Sequence, residues 1–496
     1  MNIKHWILVT ALHFIPQTWV MNLSSITFAQ TTPTFIKTKP KFRTKLAEIT
    51  ILSEQFRPTE ASCISINSKI QNSVLNILPV VYDKQDLLAQ GTVYIRDLWS
   101  VRLDIRKQMQ ALYYANAEQF TEKCAVSFQS SMRMIRGTED YLGSFIAQEL
   151  KTQKQRIPVY NNIIKQGNEL KPVLSFPNLT FINTEFKNHE PENGDILLSH
   201  GGYFSSSAIA RMADNDNQFS HLAMVFKNQS MNRLITIESE DRGVFTSPFS
   251  NYFKDGKARS SIYRFRDPVM ATRAANALYS HVSYEKRMGR TTLYDYNMLS
   301  DEHSKMFCSE VARFAFKKAS QGKIQIPLFM SSFTMKNRNF MDRLGIQVKQ
   351  GFMPADVDMD PRFDLIAEWR DFDQLRDIST YDAIMTALFR WFENDKVQIK
   401  TPVNSELVGY LGHTAAQIPI IQKNYLENKI PPHMTQTLIA TSWSLQNLTE
   451  EIKEEVDALN AAYYSKHGYP LSFYQIQTRL ESMKHQIFES NYLEKM

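Results

Sequence analysis

A chain of 496 residues exceeds one ordinary domain and implies two or three. Its hydrophobic fraction of 43% and charged fraction of 22% are ordinary for a globular protein. The formal net charge of +6 comes with no basic run interleaved with aromatics. Nucleic acid is therefore not a favoured partner, although a weakly basic surface suits acidic envelope polymers or lipids.

The first residues predict an export signal over 1–29. Lys4 and His5 give a short basic start, and Trp6 to Val20 is largely apolar. His13, Pro16 and Gln17 interrupt that run, and Thr27-Phe28-Ala29 ahead of Gln30 resembles a cleavage site. Export implies a periplasmic or secreted location. No later stretch approaches the roughly 20 apolar residues of a membrane span, so none is expected in the mature chain. Residues 30–45, rich in Thr, Pro and Lys, read as a linker.

Residues 46–188 are expected to form a helical domain. Ile95, Leu98, Val101, Ile105 and Leu112 recur at helical spacing with charged residues between them. A second helical run covers 121–153, before Pro158, Asn161, Asn162 and Gly167 break the pattern. Two of the three cysteines, Cys63 and Cys124, lie here and can pair in an oxidising compartment, leaving Cys308 as the odd thiol.

The texture changes at Pro191. Four short runs, 194–198, 222–226, 234–237 and 261–265, resemble strands bounded by turn residues. Pro268 opens a helix to Arg287. A further amphipathic helix follows Cys308, with Val311, Ala312, Ala315 and Ala319 on one face and Gly322 at its end. Residues 189–336 thus predict an α+β domain. The remainder, 337–496, reads as helical. Ile384, Leu388 and Trp391 form one stripe, and Leu445, Leu448, Ile452, Val456 and Leu459 a longer one that Gly468 and Pro470 stop.

The chemistry concentrates on Cys308. A cysteine at a helix start meets backbone N–H groups that favour the nucleophilic thiolate. A thiol nucleophile also needs a base, and the base an orienting partner. His221 opens the strand Leu222-Ala-Met-Val-Phe226, and Glu238 ends the next strand, Leu234 to Ile237. Antiparallel pairing of those strands brings Glu238 towards His221. Glu240 shares its strand parity and stays open as the third residue, as does His303 as a rival base.

These residues sit in an ordered set of short motifs: Gly194-Asp-Ile-Leu197, Ser205-Ser-Ser-Ala-Ile209, Phe219-Ser-His-Leu-Ala-Met-Val225, Glu238 with Gly243-Val244, Tyr294-Asp-Tyr-Asn297 and Phe307-Cys-Ser-Glu310. The set resembles the YiiX/YebB-like cysteine hydrolases, the circularly permuted branch of the NlpC-type papain-like fold, over residues 193–332. The resemblance implies a permuted papain-like domain with a small antiparallel sheet, Cys308 as nucleophile, His221 as general base and Glu238 as orienting residue. It also implies that Asp195 is a structural or pocket-edge residue and that Tyr294 and Tyr296 line the substrate cleft.

No His-Glu-x-x-His, paired Cys-x-x-Cys, Gly-rich phosphate loop or dinucleotide fingerprint is present, so neither metal nor cofactor is expected. The leading expectation is an exported cysteine amidase or peptidase acting on a peptide or other amide of the cell envelope. A lipid deacylase, thioesterase or acyltransferase is the alternative, from the likeness to permuted enzymes such as the lecithin:retinol acyltransferase relatives. A non-catalytic binding or scaffold protein is the third. A dry apolar tunnel beside Cys308 favours lipid, and an open polar groove favours peptide.

Overall fold

The structure, a computed structural model, describes residues 42–496 except 78–81, 153–172, 188, 215–217, 229–232, 254–255, 300–303, 334, 336–337, 425 and 427–428. The export signal and most of the linker lie outside the described residues. The linker's expected end at residue 45 is corrected, because Phe42 already opens a helix, α1 (Phe42–Glu54). Phe42, Leu46 and Ile49 fall on one face of it and are buried, and that burial outweighs the polar residues between them.

Three more helices complete the N-terminal region: α2 (Glu60–Leu75), α3 (Lys84–Ala115) and α4 (Glu122–Thr152). Thr59 caps α2, accepting from the Ser62 amide at 3.2 Å, and Asp83 caps α3, accepting from Gln85 at 2.8 Å. Helices α3 and α4 approach closely at Gly91. A methyl group there would lie 2.1 Å from Ile146 Cδ1. Cys63 of α2 and Cys124 of α4 form a disulfide, with Cα atoms 5.8 Å apart. The sequence expected that pairing.

The α+β reading holds, with an antiparallel sheet of eight strands at its centre. These are β1 (Val173–Ser175), β2 (Asn178–Ile182), β3 (Ile196–Gly201), β4 (His221–Asn228), β5 (Arg233–Glu240), β6 (Gly243–Pro248), β7 (Lys257–Phe265) and β10 (Phe363–Asp371). Two short strands, β8 (Ser331–Ser332) and β9 (Gln350–Gly351), pair separately. The main order is β1-β2-β10-β7-β3-β4-β5-β6. Strands β1, β2 and β10 lie outside 189–336, so the sheet reaches into both regions expected to be helical. Helix α5 (Phe204–Arg211) follows β3, α6 (Pro268–Arg287) follows β7, and α7 (Glu310–Ala319) follows Cys308.

Strand β10 carries Glu368 and Arg370, which are fully buried. Glu368 takes a bidentate pair from Arg102 of α3, at 2.8 and 3.2 Å, and a 2.9 Å bond from the Ser261 hydroxyl of β7. Arg370 pairs with Glu139 and Glu368, and with Asp140 at 3.2 Å. This ionic layer joins α3 and α4 to the back of the sheet.

Beyond β10 the chain is helical: α8 (Phe372–Asn394), α9 (Val403–Ala416), α10 (Gln436–His467) and α11 (Phe473–Ile487). Asp371 caps α8, which carries the stripe Ile384, Leu388 and Trp391 on its buried side. Gly468 ends α10 in the left-handed region, φ 75°, as its position predicts. Strands β11 (Val397–Ile399) and β12 (Leu493–Lys495) pair beside these helices.

The disulfide spans 61 residues, which in the chain-entropy account stabilises the fold by about 4 kcal/mol. Denaturant titration of the double variant Cys63→Ala, Cys124→Ala is expected to show a loss of that order, with Cys308 still open to alkylation.

Candidate active site

Strand register brings the central pair together. Ser199 of β3 stands opposite His221, and Ala223 of β4 opposite Glu238 of β5. Side chains alternate along a strand, so His221 shares its face with Ala223, and Glu238 lies diagonally across from it. The two meet at 2.9 Å, His221 Nε2 to Glu238 Oε2. The other carboxylate oxygen accepts from the Thr236 hydroxyl at 2.8 Å and the Ser247 hydroxyl at 3.1 Å. Glu240, the rival, is half exposed and faces Arg242 at 3.4 Å.

Cys308 arrives in the turn before α7, two residues ahead of its first helical residue. Ser239, the neighbour of Glu238, donates its hydroxyl to the Met306 carbonyl at 2.6 Å, and the Met306 amide bonds the Leu293 carbonyl at 2.9 Å. These contacts fix the segment Met306-Phe307-Cys308 against β5. The Cys308 sulfur lies 4.0 Å from the Ser220 carbonyl and 3.8 Å from the Ser309 hydroxyl. His221 contacts it as well. With Nε2 turned to Glu238, the ring nitrogen left for sulfur is Nδ1.

The electrostatics follow from burial and pairing. Burial alone would lower the His221 pKa, but its contacts with Cys308 and Glu238 more than offset this and raise it to about 9. Burial would raise Glu238, yet His221, Lys257 and the Thr236 hydroxyl hold it at about 2. The Tyr252 ring stacks 6.3 Å from His221, and the Lys257 ammonium lies 4.1 Å from the Tyr252 ring centroid.

Tyr294 and Tyr296 line a cavity with Cys308, their rings 4.9 Å apart. The Tyr296 hydroxyl donates to Asp241 at 2.9 Å. Burial pushes that carboxyl up to about 6, against the pull of this bond. Asp195 lies elsewhere and does not line the cavity. It is buried, its two oxygens accept from Arg264 at 2.9 and 2.8 Å, and one also accepts from the Glu192 amide at 2.8 Å. Of the two roles the sequence left open, this is the structural one: Asp195 ties the segment before β3 to Arg264 of β7. His303 lies outside the described residues.

The cavity, ≈ 270 Å³, is predominantly apolar. Phe204 and Met212 form one wall, Phe307 lies beside the sulfur, and Phe340, Leu438 and Leu445 close the far side. Sequence reasoning missed the C-terminal contribution. Leu445 was visible as part of a helical stripe, but nothing local says that such a stripe faces a cysteine 137 residues upstream. His433 was also missed. Its Nε2 bonds the Tyr294 carbonyl at 3.1 Å and its ring lies 5.5 Å from Tyr296.

Among the described residues, His221, Glu238 and Glu240 are the group whose ligand atoms, all within 4.8 Å of one another, could take a metal ion. His221 and Glu238 already satisfy each other.

Residues 190–367 match the family described as permuted papain-like amidase enzymes, YaeF/YiiX, C92 family. Over that segment the chain is similar to this family. No curated protein and no solved structure matches the chain. The matched segment contains β3 to β7 and Cys308, and it ends within β10. The family is one of cysteine hydrolases of the amidase and peptidase kind.

If Glu238 supports the charged ring, Glu238→Gln lowers the His221 pKa by about 1–3 units, the range for removing one adjacent opposite charge. Glu240→Gln should move it far less. NMR titration of labelled imidazole on both variants checks this.

Proposed function

We propose that the protein is a cysteine amidase in which Cys308 is the nucleophile, His221 the general base and acid, and Glu238 the residue that orients and charges the ring. The observation that carries this reading is the 2.9 Å bond from His221 to Glu238 beside Cys308, inside an amidase-family domain. Burial of the pair and its neighbours excludes bulk water and strengthens each interaction.

His221 holds the proton taken from the thiol. The sulfur attacks the amide carbonyl carbon, and the C=O pair moves onto oxygen. The Cys308 backbone N–H is the candidate donor to that oxyanion. The intermediate collapses, the C–N bond breaks, and His221 gives its proton to the leaving amine. Water, deprotonated by His221, then attacks the thioester, releasing a carboxylic acid and restoring the thiol–imidazole pair. Glu238 stays ionised throughout.

Export is part of the proposal. The N-terminal signal pattern and the Cys63–Cys124 disulfide both suit an oxidising compartment. No helix among the described residues is long and apolar enough to cross a membrane. An envelope amide such as a cell-wall peptide is then the accessible substrate.

A specific observation favours the second reading, an acyl-bearing lipid substrate. The cavity beside Cys308 is apolar, not an open polar groove. At about 30 Å³ per water-sized group, it holds about nine, which suits a medium-length acyl chain better than a polar peptide. An amidase or deacylase that seats the acyl side there reconciles the family chemistry with the wall. The scaffold reading gains no comparable support.

Cys308→Ala is expected to abolish product formation without unfolding, since a small buried thiol loses little packing. Comparison of both proteins on a whole cell-envelope fraction by mass spectrometry checks this. New amine or peptide termini that need Cys308 mark an amidase, and released acyl chains mark lipid substrates. His221→Ala should slow Cys308 alkylation near neutral pH.

Activity is expected to fall as pH rises through about 9, where the imidazolium that protonates the leaving amine is lost. Across N-acyl amides of increasing length, kcat/KM should rise by up to about fourfold per methylene until the cavity fills, the equivalent of about 0.8 kcal/mol each. Flat chain-length dependence, with faster turnover of polar peptides, would return the assignment to peptide substrates.

A further inference from the structure

Helix α9 is built inside out. Its buried face carries only small side chains, Ser405, Gly409 and Ala416. Gly409 meets α10 so closely that a methyl group there would lie 2.9 Å from Ala440 Cβ and 2.7 Å from the Gln436 carbonyl oxygen. The large apolar side chains are on the other side. Val403, Leu407, Tyr410 and Leu411 are 86%, 47%, 56% and 54% exposed. At 3.6 residues per turn their spacing places them on one arc of about 100°.

Ile418 and Ile420, just beyond the helix, are exposed as well. Six of the seventeen large apolar side chains left exposed among the described residues thus fall within 403–420, which is a patch and not the ordinary scatter of single residues. A surface helix in water ordinarily buries its large apolar residues. The reverse order suits a helix held by close backbone approach on one side and an apolar phase on the other.

The charges around the patch select that phase. Lys400 stands three residues before Val403 and Lys423 three after Ile420, and both are exposed, as is Lys429. The one carboxylate of α9, Glu406, accepts from the Thr401 hydroxyl and lies 3.8 Å from Arg343. An apolar face flanked by lysines, with a tyrosine on it, matches the interface of an anionic bilayer. A second copy, docked about a two-fold axis, would bring the same lysines against themselves.

We propose that the exposed face of α9, together with Ile418 and Ile420, docks the protein on the surface of an anionic lipid bilayer. With 14 residues, α9 lies in the plane of that surface and does not span it. Its inner face rests on α10, which carries Leu438 and Leu445 to the cavity beside Cys308. Ala416, Gln417 and Pro419 also line an opening, ≈ 510 Å³, with Asp241 and His433, and Asp241 borders the Cys308 cavity too. On the acyl-lipid reading given above, docking sets that opening against the source of substrate.

Flotation of the full chain with vesicles of equimolar phosphatidylglycerol and phosphatidylcholine tests this, with phosphatidylcholine vesicles as the neutral comparison. The wild type is expected to float with the anionic vesicles, and less with the neutral ones. The double variant Leu407→Glu, Leu411→Glu should lower the partition about tenfold or more, the equivalent of losing one buried leucine. Tyr410→Ser, a single change at an exposed position, should lower it in the same direction and carries the test if the double variant fails to fold. Ile51→Glu, at an exposed position of α1, should float as wild type. The apolar run at residues 6–20 is common to all these proteins and cancels in the comparison. Flotation needs no turnover, so Cys308→Ala should float as wild type whatever becomes of the reading of Cys308 as nucleophile. No flotation of the wild type, undiminished flotation of the α9 variants, or a lipid-free dimer in sedimentation velocity that those variants break would overturn the proposal.

Discussion

The buried ionic layer between α3, α4 and the sheet is the constraint on which the rest of the architecture depends. Glu368 sits in a strand between β2 and β7 with no exposure, a position that normally demands an apolar residue. It is ionised there because Arg102, Arg370 and Arg136 hold it well below the usual carboxylate range, against the opposing effect of burial. A layer of this kind adds little net stability over a well-packed apolar one, yet it is unforgiving. Removing one member strands its partners in a medium that cannot solvate them. The layer therefore specifies a register more than it strengthens a core. Arg102 pairs with both Glu139 and Glu368, so it ties α3 to α4 and to β10 at once.

That register propagates to the site. Arg259 and Arg136 extend the ionic layer towards the start of β4. Arg259 donates to the Gln218 carbonyl at 3.1 Å, and Arg136 to the Gln218 side chain at 3.2 Å. Gln218 is in the left-handed region, φ 51°, a conformation that a glutamine rarely adopts without outside support. The guanidinium groups of Arg136 and Arg259 also lie over the Phe219 ring, at 4.9 and 5.8 Å respectively. Two residues on, His221 enters the sheet opposite Ser199, and the Ser220 carbonyl between them faces the Cys308 sulfur. The turn before His221 is thus held by arginines from α4 and β7.

This division explains what the sequence reveals. Cys308, His221 and Glu238 are legible because each stands in a short motif, and strand parity alone brings Glu238 to the histidine's face. The choice between Glu238 and Glu240 is not legible. Both share that parity, and only the side-chain directions separate a buried carboxylate bonded by Thr236 and Ser247 from an exposed one beside Arg242. Strand β10 is hidden for the opposite reason. Its Glu368 and Arg370 read as solvated charge, and the α3 and α4 residues that pair with them, Arg102 and Glu139, lie more than 200 residues away. Asp195 is legible as a motif residue, but its role as the anchor of Arg264 follows only from the pairing of β3 with β7.

The cavity wall extends the same reasoning to substrate choice. The family-matched segment ends at residue 367, and it holds the cysteine, the histidine and the glutamate. The far wall is built in part by Met434, Leu438 and Leu445, which lie beyond it on and before α10. Nucleophile chemistry needs fixed distances among three side chains, so its residues stand in short motifs at the ends of regular elements. An apolar wall needs only volume and surface, which many helical sequences can supply. The match to an amidase family therefore speaks to the bond that is broken. Under the proposed function, what the bond is attached to is read in part by the C-terminal helices, whose stripe looks like ordinary core until the fold turns it towards Cys308.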